Sequence, residues 1–181
     1  SNLRETWVYD LDMKEWHQRV SRVLESGNET RWRPSAMIWF RGDFVAFCDD
    51  GAMYEHSDDY WYEDYSSSEK LPMIRHRQTS VIVDNYKKFV FEELAIECNV
   101  GTWDDYSLQP TLSLRISKDG GHTFGNIHSA RMGRTGDYSH RVRFLALGLN
   151  RLCVIRVTYS HPTELLLSAC EVRATSTDRV I

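Results

Sequence analysis

The chain reads as all-β: an antiparallel β-sandwich preceded by one to two propeller-blade-like β-meanders. Three observations predict this. Apolar residues alternate with polar ones in several runs, as at Leu112, Leu114 and Ile116, the period that turns one face of a strand to a core. Aromatic residues make up 12% of the 181 residues, and large flat side chains fit a pleated surface. Turns rich in Gly and Asp separate the apolar runs at short intervals. A chain of this length can bury a core without staples, since a domain of about 150 residues buries roughly 70% of its unfolded surface.

Taken in order, Thr6-Trp7-Val8-Tyr9 is a strand of β-formers, and Asp10 to Lys14 supply turn chemistry before Glu15-Trp16-His17 returns. Residues 18–34 read as a long loop with room for one short helix, because Val20, Val23 and Leu24 have helical spacing and Gly27-Asn28 stops it. Residues 36–40, 44–48 and 52–55 form three short strands joined by Arg41-Gly42-Asp43 and Asp49-Asp50-Gly51, the meander of a propeller blade. Residues 58–69 are acidic, aromatic and serine-rich. They read as a solvated loop, with a contact surface through Tyr60, Trp61 and Tyr62 as the alternative. Long strand patterns follow at 73–83 and 88–98, then at 111–117, 141–147, 152–159 and 165–173. Six or seven strands in about 100 residues indicate a sandwich. Its expected core includes Leu112, Leu114, Ile116, Phe124, Val142, Phe144, Val154, Ile155 and Val157. Val154 and Ile155 are adjacent, so both can be buried only near a bulge or in a strand covered on both faces. The expected domains are residues 1–72 and 73–181.

The net charge is −4, which argues against a phosphate-binding face needing concentrated basic charge. Arg131, Arg134, Arg141 and Arg143 fall close together and read first as exposed strand-face arginines. No apolar run reaches the roughly 18 residues of a spanning helix, and no signal peptide is visible. Ser1-Asn2 resembles a tag-cleavage remnant with a strand directly after it, so a fragment of a longer protein is the expectation. Cys48, Cys98, Cys153 and Cys170 lie far apart with no C-x-x-C pair, the usage of buried free thiols in a reducing compartment. Enzyme motifs are missing: no G-x-S-x-G, no H-E-x-x-H, no phosphate-binding glycine loop and no dinucleotide fingerprint. The seven histidines lack metal-ligand spacing. The expectation is therefore a non-enzymatic chain without metal or cofactor.

Two motifs remain. Ser117, Asp119, Gly121, Thr123 and Phe124 fit S-x-D-x-G-x-T-[FW] and resemble the Asp box of sialidases and other propeller proteins. In that reading Asp119 accepts backbone N–H groups across a hairpin turn, Gly121 takes positive φ, and Phe124 plugs the hairpin against the core. The motif is structural wherever it occurs. A sialidase would carry several copies and a separate arginine cluster, and one copy is present.

The stretch with Gly133, Gly136, Tyr138, Arg141, Val142, Phe144, Leu147 and Gly148 resembles the phage packaged-DNA stabilisation proteins, also called tail hub or nozzle proteins. They carry G-x-x-G-x-Y-x-x-R-V-x-[WF]-x-x-L-G after a segment like S-x-D-G-G-x-[TW]. Residues 154–157, Ser160-His161-Pro162, residues 74–79 and Tyr54-Glu55 after Asp50-Gly51 fit the same pattern. Departures are Phe124 and Phe144, where Trp is commoner, and the acidic insert at 58–69. The resemblance implies a virion tail protein below the portal that helps retain DNA, with a propeller body in the intact subunit. It implies partners among other copies in a ring and neighbouring tail or portal-adaptor proteins, with non-specific proximity to packaged DNA and no membrane. Synthesis in the bacterial host cytoplasm would follow. A carbohydrate-binding or sialidase-like module is the alternative, and a bacterial prophage product would be the same tail protein at another address.

Overall fold

The alternating runs take up strand, and no described residue is helical. The structure, a computed structural model, describes residues 5–57, 60–66, 68–85, 87–100, 109–133 and 140–177. The chain divides into two units, residues 1–73 and 74–181.

In the first unit, β1 (Thr6–Asp10), β2 (Glu15–Arg22) and β3 (Glu29–Arg31) form one antiparallel sheet. The β1–β2 turn is closed by the Asp10 carboxylate, which accepts the N–H groups of Asp12 and Met13, each at 2.9 Å. β4 (Pro34–Phe40), β5 (Asp43–Cys48) and β6 (Met53–His56) form the meander expected from the glycine turns. β7 (Tyr62–Asp64) and β8 (Lys70–Pro72) pair as a short hairpin.

In this unit strand pairing overrides two local patterns. Residues 18–34 hold no helix: Val20, Ser21 and Arg22 continue β2 and pair with β3, so ladder bonding overrides one turn of helical spacing. The stretch 58–69 is no plain loop, because Tyr62 to Asp64 pair with Lys70 to Pro72, and Asp58, Asp59 and Ser67 lie outside the described residues. This unit has a thin apolar core. Its buried described hydrophobics are Ala46 and Cys48, while Met37, Ile38, Trp39 and Phe40 are all exposed in succession along β4.

The second unit is an antiparallel β-sandwich. In its first sheet β12 (Thr111–Ser117) lies between β13 (His128–Arg131) and β15 (Leu152–Tyr159). The other edge of β15 is filled end to end by β9 (Arg75–Gln78) and β10 (Ile82–Val83). The single strand expected at 73–83 is therefore broken. Thr79 sits at the break: its N–H donates to Ile155 O at 2.9 Å, and its hydroxyl accepts from Ile155 N at 3.0 Å. A side chain thus replaces one backbone acceptor in the ladder. The second sheet has the order β14 (His140–Asn150), β11 (Phe89–Val100), β16 (Leu165–Ser176).

The two sheets share one core. Leu112, Leu114, Ile116, Cys153, Ile155 and Tyr159 come from the first, and Phe89, Phe91, Leu94, Ile96, Val142, Phe144 and Leu147 from the second. Fully burying one such aliphatic or aromatic side chain contributes about 1.5–3 kcal/mol. Val154 and Ile155 are both buried. Ile155 pairs with Ile116 on the inner face, whereas Val154 pairs with the fully buried Ser117 on the outer face, so β15 is covered on both sides here. Val157 is partly buried against the core. Phe124, expected to plug the core, is only half-buried and lies outside it. Buried thiols hold for Cys48, Cys98 and Cys153, but Cys170 is exposed because β16 is an edge strand.

Candidate functional site

The loop between β12 and β13 closes on its own side chains. The Ser117 hydroxyl donates to Asp119 Oδ1 at 2.6 Å and accepts the Gly121 N–H at 2.8 Å. Asp119 accepts the Thr123 N–H at 2.9 Å and the Thr123 hydroxyl at 2.5 Å. Gly120 (φ 79°) and Gly121 (φ 101°) make the left-handed reversal. Phe124 lies half-buried on the outer face of the sheet, under the Arg156 guanidinium at 3.9 Å from the ring centroid. Arg156 in turn donates to Gln78 Oε1. Phe124 cannot reach the core because Arg115, Ser117 and Arg156 already occupy the face on which the loop folds.

Hydrogen bonds from Ser117 first, then from Thr123, hold the Asp119 carboxyl well below the usual carboxylate range. A depressed folded value means the carboxylate's contribution is fully present above the unfolded value of about 3.9 and is lost as pH falls through the folded value. Urea midpoints measured between pH 7 and pH 2 should therefore drop less steeply below pH 4 in Asp119→Asn than in the parent. Identical pH slopes would mean the carboxylate does not brace the loop.

The motif along β14 has a structural logic. Val142 and Phe144 point inward two residues apart, and Leu147 follows after three. The odd step is a β-bulge: Leu145 pairs with Glu93 and Gly148 with Phe91, so Ala146 and Leu147 oppose Glu92 alone. Ala146 takes φ 56° and Gly148 φ 81° to make it. Arg141 and Arg143 face outward. Arg141 pairs with Glu171, and Arg143 with the largely buried Glu93, which Arg173 approaches at 3.7 Å. The Arg143 hydrogen bond is the main reason the Glu93 carboxyl titrates below its ordinary value. Gly133 has φ 91° after β13. Arg134, Gly136 and Tyr138 lie outside the described residues. Arg131 is exposed at the end of β13.

Pattern reading missed two arginine hubs. In the second unit Arg75 Nη2 donates to His161 O at 2.7 Å and Thr163 O at 2.6 Å. Its guanidinium stacks on the Tyr159 ring at 4.7 Å, and the Tyr159 hydroxyl bonds that of Thr163. In the first unit Arg33 donates to Asp64 O and Asp50 Oδ2, each at 2.6 Å, and stacks on Tyr65 at 4.3 Å. Burial, with the Glu63 carboxylate beside it, pushes the Tyr65 phenol up to about 12. Single arginines carry no spacing signal, so only the fold reveals these hubs. The Arg33 hub borders a crevice of about 120 Å³ lined by Trp32, Tyr54, Tyr62, Glu63 and Asp64 among others. Of the expected contact residues, Tyr60 is exposed and bonds Asp64 and Lys70, whereas Trp61 and Tyr62 are half-buried. Among the described residues no group of three His, Cys, Asp or Glu could hold a metal ion, and no helix is long and apolar enough to cross a membrane.

Residues 74–175, more than half of the chain, match the family model described as bacteriophage P22 Gp10, beta-sandwich. The chain belongs to that family. No curated protein matches it. The Gp10 match spans both sheets of the second unit, from Arg75 of β9 to Thr175 of β16, and so includes the Arg75 hub, the 117–124 loop and the β14 bulge. The Gp10-type sandwich is thus a phage structural domain, and the first unit lies outside the match.

Proposed function

We propose that the chain is a structural subunit of a bacteriophage or prophage tail, in the hub or nozzle that retains packaged DNA and joins the portal side to the distal tail. The observation that carries this reading is the Gp10 match over 74–175. The intact protein works without catalysis, as one subunit of a ring in the virion. Sugar hydrolysis needs two carboxylates roughly 5–10 Å apart around a substrate, and the acidic pairs Asp49-Asp50, Asp58-Asp59 and Asp104-Asp105 lie apart in the sequence. Closed rings bring two different patches of one subunit together. The acidic aromatic stretch 58–69 and the basic stretch 131–143 are the complementary pair, and their attraction weakens with salt. The 117–124 loop serves as a structural brace in this arrangement.

The test is deletion of residues 58–69 from the complete tail protein, with particles viewed by electron microscopy. Tailless or DNA-leaking particles are expected. Normal, DNA-filled particles would refute the interface, and hydrolysis of a sialoside by the purified chain would refute the structural role. One observation favours a second reading, a carbohydrate-binding module: the crevice beside Arg33 combines aromatic rings with carboxylates. Saccharide binding that is lost in Trp32→Ala would support it.

A further inference from the structure

β16 is a long strand, and among the described residues no strand pairs with one of its edges. On the other edge it pairs with β11, over Leu165 to Ser176. The other edges of the sandwich are blunted, as edge strands usually are. β14 carries the bulge at Ala146, β13 spans four residues, and β9 and β10 are shorter than β15, which they line. β16 has no proline and no positive-φ residue, and its register with β11 from Ala169 to Ser176 needs no extra residue on its own side.

The direction of its free backbone groups follows from the ladder. The Thr177 N–H donates to Lys88 O at 2.8 Å, so residue 177 points its backbone towards β11. Alternation then turns the N–H and C=O groups of Cys170, Val172, Ala174 and Ser176 outward. The side chains alternate as well. Glu171 and Arg173 share the outer face with Glu93 and Ala95, and each is 72% exposed despite its partner within the sheet. Val172 and Cys170 are exposed on the opposite face.

We infer that β16 pairs antiparallel with β16 of a second copy about a two-fold axis at Val172, giving a continuous six-stranded sheet. Only this register satisfies both constraints. Val172 meets its symmetry mate as a hydrogen-bonded pair, and Cys170 meets Ala174 in the same way. Glu171 then faces Arg173 of the other copy twice over, in the non-hydrogen-bonded positions where side chains approach most closely. Centring on Glu171 or Arg173 would oppose like charges, and centring on Cys170 or Ala174 would leave the charges unmatched. The two Val172 side chains meet on the other face and cover part of the exposed apolar edge. An isologous pair has no place inside a cyclic ring of more than two subunits. The pairing therefore belongs to the protein before assembly, where it shields an edge that would otherwise recruit foreign strands. Only its placement before assembly rests on the tail reading; the pairing itself is tested by mass, whereas the tail reading is tested by particles.

The experiment measures molar mass of the 181-residue chain by sedimentation across a concentration series, with circular dichroism as the check on folding. The parent chain should move from monomer to dimer with rising concentration. Val172→Pro removes one outward N–H without touching the β11 ladder, and should stay folded and monomeric. Glu171→Arg and Arg173→Glu each turn two attractive pairs into repulsive ones and should weaken the dimer roughly tenfold or more. Their equimolar mixture should form a heterodimer, because one strand then carries two arginines and the other two glutamates. A parent chain that stays monomeric throughout, a Val172→Pro chain that dimerises like the parent, or two folded charge variants that fail to pair when mixed would each overturn the inference.

Discussion

Phe91→Ala is expected to destabilise the sandwich by about 3–5 kcal/mol, the upper range for truncating a buried aromatic. Phe91 lies on the central strand of its sheet at 2% exposure, with its ring centroid 5.0 Å from that of Phe89 in an edge-on contact. Its cross-strand neighbours are Gly148 on β14 and Ala174 on β16. Neither has the bulk to swing into the void, so the cavity would persist. Leu166→Ala, at a 56% exposed position on β16, should stay within about 0.5 kcal/mol and serves as the control. Because the chain has two units, amide hydrogen exchange along β11 and β12 is the measurement of choice, since it reports the sandwich by itself. A loss below about 1 kcal/mol would show that the ring is not packed between the sheets.

The second large effect is expected at Arg75. One nitrogen of its guanidinium holds two carbonyls of the 161–163 segment while the plane lies on Tyr159. Arg75→Ala should cost about 2–4 kcal/mol, from two charge-assisted hydrogen bonds and one cation–π contact. Arg75→Lys keeps the charge without the planar fork and should recover only part of it. Limited proteolysis gives an independent readout: cleavage near Pro162 should rise in the alanine variant. Unchanged exchange and unchanged cleavage would mean the loop holds its shape without the arginine.

The readings that came from local pattern have a common physical basis. Leu112, Leu114 and Ile116 alternate because each second residue of a strand faces the same way, and all three are buried. The turn at Asp10 and the glycines at 120 and 121 likewise follow from short-range backbone chemistry. Readings that needed a neighbour fared differently. Helical spacing in residues 18–34 lost to pairing between β2 and β3. Cys170 carries the same strand pattern as Cys153, but one lies on an edge and the other under a second sheet.

The amino-acid sequence by itself determined an all-β chain, the strands at 88–98, 111–117, 141–147, 152–159 and 165–173 and several tight turns, because strand alternation and turn preference act over two to five residues; it missed β13 and the break in 73–83. Tertiary structure alone decided that Phe124 would stack under Arg156 outside the core, that Arg75 would clamp the 161–163 segment, and that a bulge at Ala146 would bring Leu147 back to the inner face. Each of those outcomes depends on a partner between 30 and 90 residues away in the chain. No local periodicity records that distance, and only long-range pairing of strands within each sheet brings the partners together.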